Sequence, residues 1–542
     1  MSLSDKTNTG EKGDRTKLYK NVGKTDVQDA RRRRTDCSIE LRRQKRNDEM
    51  MKRRNLTLGE DSDSSFTSDT ALEGIETASS EATSPMKAPA VVIQESIQIL
   101  TNNPSIVQLQ QVFEGIRRIL SRSKEPPVQE MVDSGLVVAL VKGLDVEDEK
   151  VQFECAWALT NIVSGTSAQT LAVVKAGATQ PLLQLAASPS LKLAEQAIWA
   201  IANIVGDSTE LRDHMIENGL VSTLNRLVDL LPDLNDQLVR VVAWTYSNLV
   251  RHKTPQIRHT VLREVVPGIA KLMKYPDRQT NQDACWALSY MTDGADENIQ
   301  MAYQNEVIPD VVRFVSTNQD SLIAPALRVL GNFATGNDEL TQVVCDSGVL
   351  KHVVPQLLQR NTISIVKESC WLVSNVLAGT NSQIEEVIDA GLLPLLLSVL
   401  KNGDHRSQYE AGWAIANIAH GGSVEQIFHL TRTEGCVEAI CHCLNVKNNE
   451  LISNMVDALY VVLTTVANND PMNLEKVKIT VEECNGLDYL ETLQRHESQR
   501  IYDMAFKIVD EFFNDEEDEG ENLEPTQDTP MNLSAPSGPY NF

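Results

Sequence analysis

The chain has 542 residues, with 50 Lys and Arg against 75 Asp and Glu, and a formal net charge of −25. This acidic total excludes a general nucleic-acid binder, whose affinity depends on a basic surface. Hydrophobic residues make up 42%, so the chain as a whole is not predicted to be disordered. The nine cysteines are scattered, which indicates a reducing compartment without disulfides. No apolar run approaches the roughly 20 residues that span a bilayer, so no membrane insertion is expected.

Residues 1–56 form a basic arm in front of an acidic body. The arm holds 17 Lys and Arg and 9 Asp and Glu, whereas the rest of the chain holds 33 and 66. Residues 26–54 lack Pro and Gly, which predicts a marginal helix that folds on an acidic partner. The charge alone equally fits a disordered tail that binds nucleic acid loosely. The basic residues of the predicted helix are Arg31, Arg32, Arg33, Arg34, Arg42, Arg43, Lys45 and Arg46.

Three further regions follow the arm. Residues 57–91 are acidic and rich in Ser and Thr, which predicts a flexible linker. Residues 92–513 form the folded body. Residues 514–542 begin with an acidic run and are predicted to be a disordered tail.

The body repeats about every 42 residues. Its tryptophans are spaced by 42, 45, 42, 85 and 42, and Arg328 occupies the slot missing from the double interval. A glycine about 22 residues before most tryptophans predicts two short helices and a longer third helix in each repeat. This length is typical of armadillo or HEAT units, so we expect an all-α, right-handed superhelical solenoid of about ten repeats. The tryptophans are Trp157, Trp199, Trp244, Trp286, Trp371 and Trp413.

An asparagine follows five of these tryptophans by four residues, on the same helical face. A lone Trp is usually core and a lone Asn a helix cap. A series in register instead favours a groove in which Asn amides bind the backbone of an extended peptide. Slots between the Trp rings suit long cationic side chains. Nearby carboxylates would complete these slots: Glu195, Asp207, Asp283, Asp293, Asp338, Glu368 and Glu410.

Four segments carry a resemblance to a known family. They are "ARRRRTDCSIELRRQKRNDEMMKRRN" (30–55), "AWALTNIVSGTSAQT" (156–170), "AIWAIANIVGDST" (197–209) and "DACWALSYMTDG" (283–294). The chain resembles the importin α family, whose armadillo repeats bind nuclear localisation signals. The resemblance implies a major site formed by Trp157, Asn161, Gly165, Thr170, Trp199, Asn203, Asp207, Trp244 and Asn248. It implies a minor site formed by Arg328, Asn332, Glu368, Trp371, Asn375, Glu410, Trp413 and Asn417.

The resemblance also implies partners and regulation. The arm would bind importin β, and its cluster Lys52, Arg53 and Arg54 would occupy the cargo groove when importin β is absent. Cargo would carry one or two basic clusters. An export receptor of the CAS type would bind the last repeat, and Ran would act indirectly. The protein would shuttle between cytoplasm and nucleus, without direct nucleic-acid binding.

No catalytic motif, cofactor or metal site is predicted. The run Cys441-His442-Cys443 lacks the second ligand pair that zinc requires, which favours a core role. Two other functions stay open. An armadillo adaptor in adhesion or signalling would also bind peptides, but is expected to carry a basic groove and no arm. A scaffold that uses the arm to bind nucleic acid is the third.

Overall fold

The computed structural model describes residues 52–55, 88–122, 124–252 and 254–514. Of the predicted arm helix, residues 26–51 lie outside the described residues, and residues 52–54 are not helical, so the prediction is wrong for them. Most of the predicted linker and the tail beyond residue 514 also lie outside the described residues. Within the described ranges every regular element is a helix, which confirms the predicted all-α class.

The first half of the body contains helices α1 to α13. Their bounds are α1 Pro89–Thr101, α2 Ile106–Leu120, α3 Val128–Asp133, α4 Leu136–Gly143, α5 Glu149–Val163, α6 Ser167–Lys175, α7 Thr179–Ala186, α8 Leu191–Asp207, α9 Thr209–Glu217, α10 Leu220–Asp229, α11 Asp236–Arg251, α12 His259–Met273 and α13 Arg278–Met291.

The second half contains helices α14 to α29. Their bounds are α14 Asp296–Gln304, α15 Ile308–Val315, α16 Asp320–Thr335, α17 Asp338–Asp346, α18 Val349–His352, α19 Val354–Leu358, α20 Ile363–Val376, α21 Asn381–Asp389, α22 Leu393–Asn402, α23 His405–Gly421, α24 Val424–Arg432, α25 Cys436–His442, α26 Asn449–Asn469, α27 Leu474–Glu483, α28 Gly486–Leu493 and α29 Gln499–Phe512.

The boundaries of these helices follow local sequence signals. Gly135, at φ +77°, lies in the left-handed region between α3 and α4, where a side chain would be strained. The side chain of Asp148 accepts a hydrogen bond from the Val151 N–H and so caps α5. Thr166 and Gln169 form a reciprocal capping box at the start of α6. These signals produce the predicted order of two short helices and one longer helix.

The long third helices of successive repeats pack side by side along the molecule. Their buried aliphatic side chains form one continuous core, as expected when each repeat buries its apolar face against its neighbours. The described residues contain ten helices of this series, in agreement with the predicted number of repeats. They are α2, α5, α8, α11, α13, α16, α20, α23, α26 and α29.

Two elements depart from the expected pattern. The first two helices of the fifth repeat merge into the single helix α12, because no residue between 259 and 273 adopts the positive φ that ends a helix elsewhere. Helix α26 is long and apolar enough by length and composition to cross a membrane, so the expectation that no run approaches that length was wrong. The apolar stretch of this helix is 67% buried within the solenoid, as expected of a core helix.

Candidate peptide-binding groove

The segment Lys52–Asn55 lies against the face of the long helices that carries the tryptophans. Asn203 of α8 holds the Arg53 backbone: its amide oxygen accepts from the Arg53 N–H at 2.8 Å, and its Nδ2 donates to the Arg53 carbonyl at 3.0 Å. The Trp199 indole N–H donates to the same carbonyl at 2.9 Å. This segment has no neighbouring strand, so side chains of the solenoid form the hydrogen bonds to its peptide groups.

The preceding repeat contacts Asn55 in the same way. Asn161 of α5 accepts from the Asn55 N–H at 2.9 Å and donates to the Asn55 carbonyl at 3.0 Å, and the Trp157 indole donates to that carbonyl at 3.0 Å. The segment therefore runs opposite to the order of the repeats. It advances by two residues for each repeat that it crosses.

Lys52 enters a pocket of oxygen atoms at the ends of α5 and α8. Its ammonium group donates to the Gly165 carbonyl at 2.8 Å and to the Thr170 hydroxyl at 2.9 Å, and it forms an ion pair with Asp207. The Asp207 side chain is only 3% exposed. A desolvated carboxylate with two neutral acceptors matches the three donors of a lysine.

Arg53 contacts the next two long helices of the solenoid, α11 and α13. Its guanidinium lies 4.4 Å from the centre of the Trp244 ring and 3.7 Å from a carboxylate oxygen of Asp283. Burial raises the pKa of Asp283, and the charge of Arg53 opposes that shift. The cation thereby stabilises a carboxylate that is costly to bury alone.

Arg54 and Asn55 contact groups that the sequence patterns did not indicate. Arg54 donates to the carbonyl groups of Leu120 and Arg122, at the end of α2, at 2.9 and 2.6 Å. The side-chain amide of Asn55 donates to Gln196 at 2.9 Å. Backbone carbonyls have no sequence signature, whereas Gln196 could have been found from its position three residues before Trp199, the register that Asp283 occupies before Trp286.

The asparagine series also joins neighbouring repeats. Besides its contact with the segment, Asn203 donates to the Thr160 carbonyl of the preceding long helix at 3.3 Å. Asn248 of α11 donates to the Ala202 carbonyl of the preceding long helix at 3.0 Å. The asparagines are therefore both groove residues and links between helices, a second role that the sequence analysis missed.

The predicted minor-site residues lie on α16, α20 and α23. Asn332, Asn375 and Asn417 donate to the carbonyls of Ser289, Gly331 and Ser374 on the preceding long helices. Trp371 packs so closely on Gly331 that a Cβ there would overlap the ring. Tyr409 meets the Trp413 ring edge-on at 6.5 Å between ring centres, and Glu410 beside it is buried.

Arg328 and Glu368 form a buried pair in this half. Two guanidinium nitrogens lie 3.2 and 3.1 Å from the two carboxylate oxygens, and the guanidinium lies 5.9 Å from the Trp371 ring centre. Burial alone would lower the pKa of Arg328, but Glu368 raises it above its usual value. The pair gives each of these two buried charges an opposite partner.

Comparisons with known proteins agree with this arrangement. The importin beta binding domain model matches residues 15–112, and the armadillo/beta-catenin-like repeat model matches residues 124–164, 166–206 and 380–420. Importin subunit alpha-2 of Caenorhabditis elegans is 45% identical over 529 residues, which cover 97% of this chain and 98% of that protein. The chain belongs to the importin α family. Proteins of this family are nuclear import adaptors rather than enzymes.

Further relatives extend this result. Importin subunit alpha-4 of Arabidopsis thaliana is 34% identical, with 97% of this chain and 98% of that protein covered. An atypical armadillo repeat model matches residues 475–526 of this importin α. The crystal structure of an engineered protein matches with a TM-score of 0.68 and 24% identity, covering 77% of this chain and 98% of that one, and it supports the fold alone.

The structure brings most predicted major-site residues of this importin α onto one short segment. Seven of them contact Lys52–Asn55 through hydrogen bonds or the ion pair, and Trp244 lies against Arg53. The eight predicted importin-β-binding residues from Arg31 to Arg46 lie outside the described residues. No group of three or more His, Cys, Asp or Glu in the described ranges is arranged to hold a metal.

Proposed function

We propose that this importin α binds the nuclear localisation signals of cargo in the groove and links that cargo to importin β through its basic arm. In this proposal, Lys52–Asn55 competes for the groove when importin β is absent. An export receptor of the CAS type binds the last repeat, Ran acts indirectly, and the protein shuttles between cytoplasm and nucleus.

The observation that carries the proposal is the placement of Lys52. A basic segment of the arm lies in the oxygen pocket of Gly165, Thr170 and Asp207, with its backbone paired by Asn161 and Asn203. Any extended peptide with a lysine at this position offers the same donors. A signal peptide and the arm therefore exclude each other.

The linkage of the arm to the body makes this competition effective. A tethered segment has an effective concentration of up to the millimolar range. A cargo signal must overcome that concentration unless another protein removes the arm. Importin β, by binding the arm, would then raise the apparent affinity for cargo.

Replacement of one lysine tests the competition. Lys52→Ala in the full chain should tighten the binding of a weak basic peptide by about tenfold, because the tethered competitor loses its main ion pair. Fluorescence anisotropy of a labelled peptide gives the affinity. Lys87→Ala, which removes the same charge from the predicted linker, is the control and should change little.

Importin β provides the complementary measurement. Its addition should tighten peptide binding to the wild-type chain but have little further effect on Lys52→Ala. Equal peptide affinities for the wild type and Lys52→Ala would contradict competition by the arm.

A further inference from the structure

The tryptophan series has an arginine in place of Trp at two positions, and both arginines make the same contacts. Arg117 of α2 lies one repeat before Trp157, as Arg328 of α16 lies one repeat before Trp371. In each case the guanidinium pairs with a glutamate three residues before the following Trp and lies near the ring of that Trp. The distances are 2.7 Å to Glu154 and 4.6 Å to the Trp157 ring centre for Arg117, against 3.1 Å to Glu368 and 5.9 Å to the Trp371 ring centre for Arg328.

The same register holds a ligand cation in the major half. Asp283, three residues before Trp286, contacts the guanidinium of Arg53, which also lies on the Trp244 ring. A carboxylate at this position and a neighbouring indole thus form a slot for a cation. In two such slots, the cation is an arginine of the solenoid itself, Arg117 or Arg328.

Arg117 lies where the groove would continue beyond Asn55. The bound segment crosses one repeat for every two residues, from Asn203 at Arg53 to Asn161 at Asn55. The next step brings a peptide to α2, where Ser121 and Arg117 occupy the Asn and Trp positions. Ser121 already accepts a hydrogen bond from Asn161 at 3.0 Å, and Arg117 is only 8% exposed.

We propose that Arg117 is a specificity-determining residue that marks the end of the part of the groove that binds cationic side chains of the ligand. Its guanidinium occupies the Glu154 carboxylate and approaches the Trp157 ring, so a peptide gains nothing from a cation two residues beyond the Asn55 position. A lysine there meets a like charge instead of a free carboxylate. This inference rests on the proposed function, because it assumes that cargo binds as Lys52–Asn55 does.

Two peptides test the inference on the full chain. One copies residues 52–57, Lys-Arg-Arg-Asn-Leu-Thr, and the other carries Thr57→Lys. The wild type should bind both within about twofold, whereas Arg117→Met should prefer the lysine peptide by about tenfold, because Glu154 then requires a cation. The tethered arm competes equally with both peptides, so the ratio of their affinities is unaffected by it.

Three further variants complete the design. Arg118→Met removes the same charge from the exposed neighbouring position of α2 and should leave the ratio unchanged. Glu154→Gln combined with Arg117→Met should abolish the new preference. If Arg117→Met does not fold, Arg117→Gln, whose amide still donates to Glu154, should show the preference at about threefold.

The outcomes separate this inference from the proposed function. A wild type that already prefers the lysine peptide by tenfold, or a folded Arg117→Met that binds both peptides equally, overturns the role of Arg117 while leaving the groove intact. A Lys52→Ala chain, whose own segment no longer fills the lysine pocket, that binds neither peptide overturns the proposed function and this inference with it.

Discussion

The two halves of the groove have the same arrangement of long helices, but their lysine pockets differ at one position. In the half formed by α5, α8, α11 and α13, Lys52 meets the Gly165 carbonyl, the Thr170 hydroxyl and the Asp207 carboxylate. In the half formed by α16, α20 and α23, the register places Gly336, Thr341 and Gly379 at the corresponding positions. Thr341 donates to the carbonyls of Ala334 and Asn337 as Thr170 donates to those of Val163 and Thr166. The second pocket is thus built alike but has Gly379 at the position of the Asp207 carboxylate.

Helix capping explains the glycine in the second pocket. Gln383 completes a capping box with Thr380 at the start of α21, and its side-chain oxygen fills the space that a Cβ of Gly379 would need. At the start of α9, Leu211 holds the position that corresponds to Gln383, and a leucine side chain cannot accept the hydrogen bond from the capping residue. Space for a side chain therefore remains at Asp207. A residue that caps a helix thereby controls the charge of a neighbouring pocket.

Under the proposed function, this difference predicts that the first half provides most of the affinity for a basic peptide. A charge-assisted bond is about twice as strong as a neutral one. In the second half, Glu368 is also occupied by Arg328 and lies 3.3 Å from the Lys367 ammonium. In the first half, the corresponding Asp283 contacts a cation of the bound segment.

Reversal of the charge in the first pocket should have the largest effect. Asp207→Lys, made in the Lys52→Ala chain, is expected to weaken the binding of a peptide with one basic cluster about 100-fold or more, because it places a cation against the peptide lysine. Fluorescence anisotropy measures the loss. Asp233→Lys changes the net charge equally at an exposed turn and should leave the affinity nearly unchanged. Normal binding by Asp207→Lys would show that the pocket is wrongly assigned.

A second difference between the halves concerns stability. Four residues before Trp199 stands Glu195, whereas Lys367 holds that position before Trp371. Burial raises the pKa of Glu195 to about 7. The folded state therefore retains a proton that the unfolded state releases near pH 4.5, and the free energy of unfolding should fall as pH rises from about 4.5 to 7.

Glu195→Gln should remove this contribution. Above pH 7 the variant is expected to be more stable than the wild type by about 3 kcal/mol, and below pH 4.5 to be nearly equal to it. Urea unfolding followed by circular dichroism at several pH values measures the difference. Parallel pH profiles for the two proteins would contradict the role of Glu195.

The smallest expected effect is a gain in the second half. Gly379→Asp with Gln383→Leu would supply the missing carboxylate and the space for it. In the Asp207→Lys chain, where the first pocket is closed, this pair should tighten peptide binding about fivefold. Gln383→Leu alone is the matched control. An unchanged affinity in a folded double variant would mean that the carboxylate does not set the difference between the halves.

The sequence predicted the repeat, the helix order and the face that carries the tryptophans. These follow from periodicity, since Trp157 and its counterparts recur in one register. Arg117 belongs to the same register, one repeat before Trp157, and was missed because the series was read from its tryptophans alone. The carbonyls of Leu120 and Arg122 could not be predicted, because every residue has one. The merging of two helices into α12 reflects the absence of a residue in the left-handed backbone region. Such an absence is harder to recognise in a sequence than a glycine that ends a helix.

The step of two peptide residues for each repeat sets a minimum length for any ligand that uses both halves. The lysine pocket at Gly165 follows α5, and its counterpart at Gly336 follows α16, four long helices further on. An extended peptide must therefore span about eight residues between the two lysines. A peptide with a shorter separation can engage only one pocket, however well each basic cluster fits. If cargo binds as proposed, the solenoid selects it by the distance between charges as well as by the charges themselves.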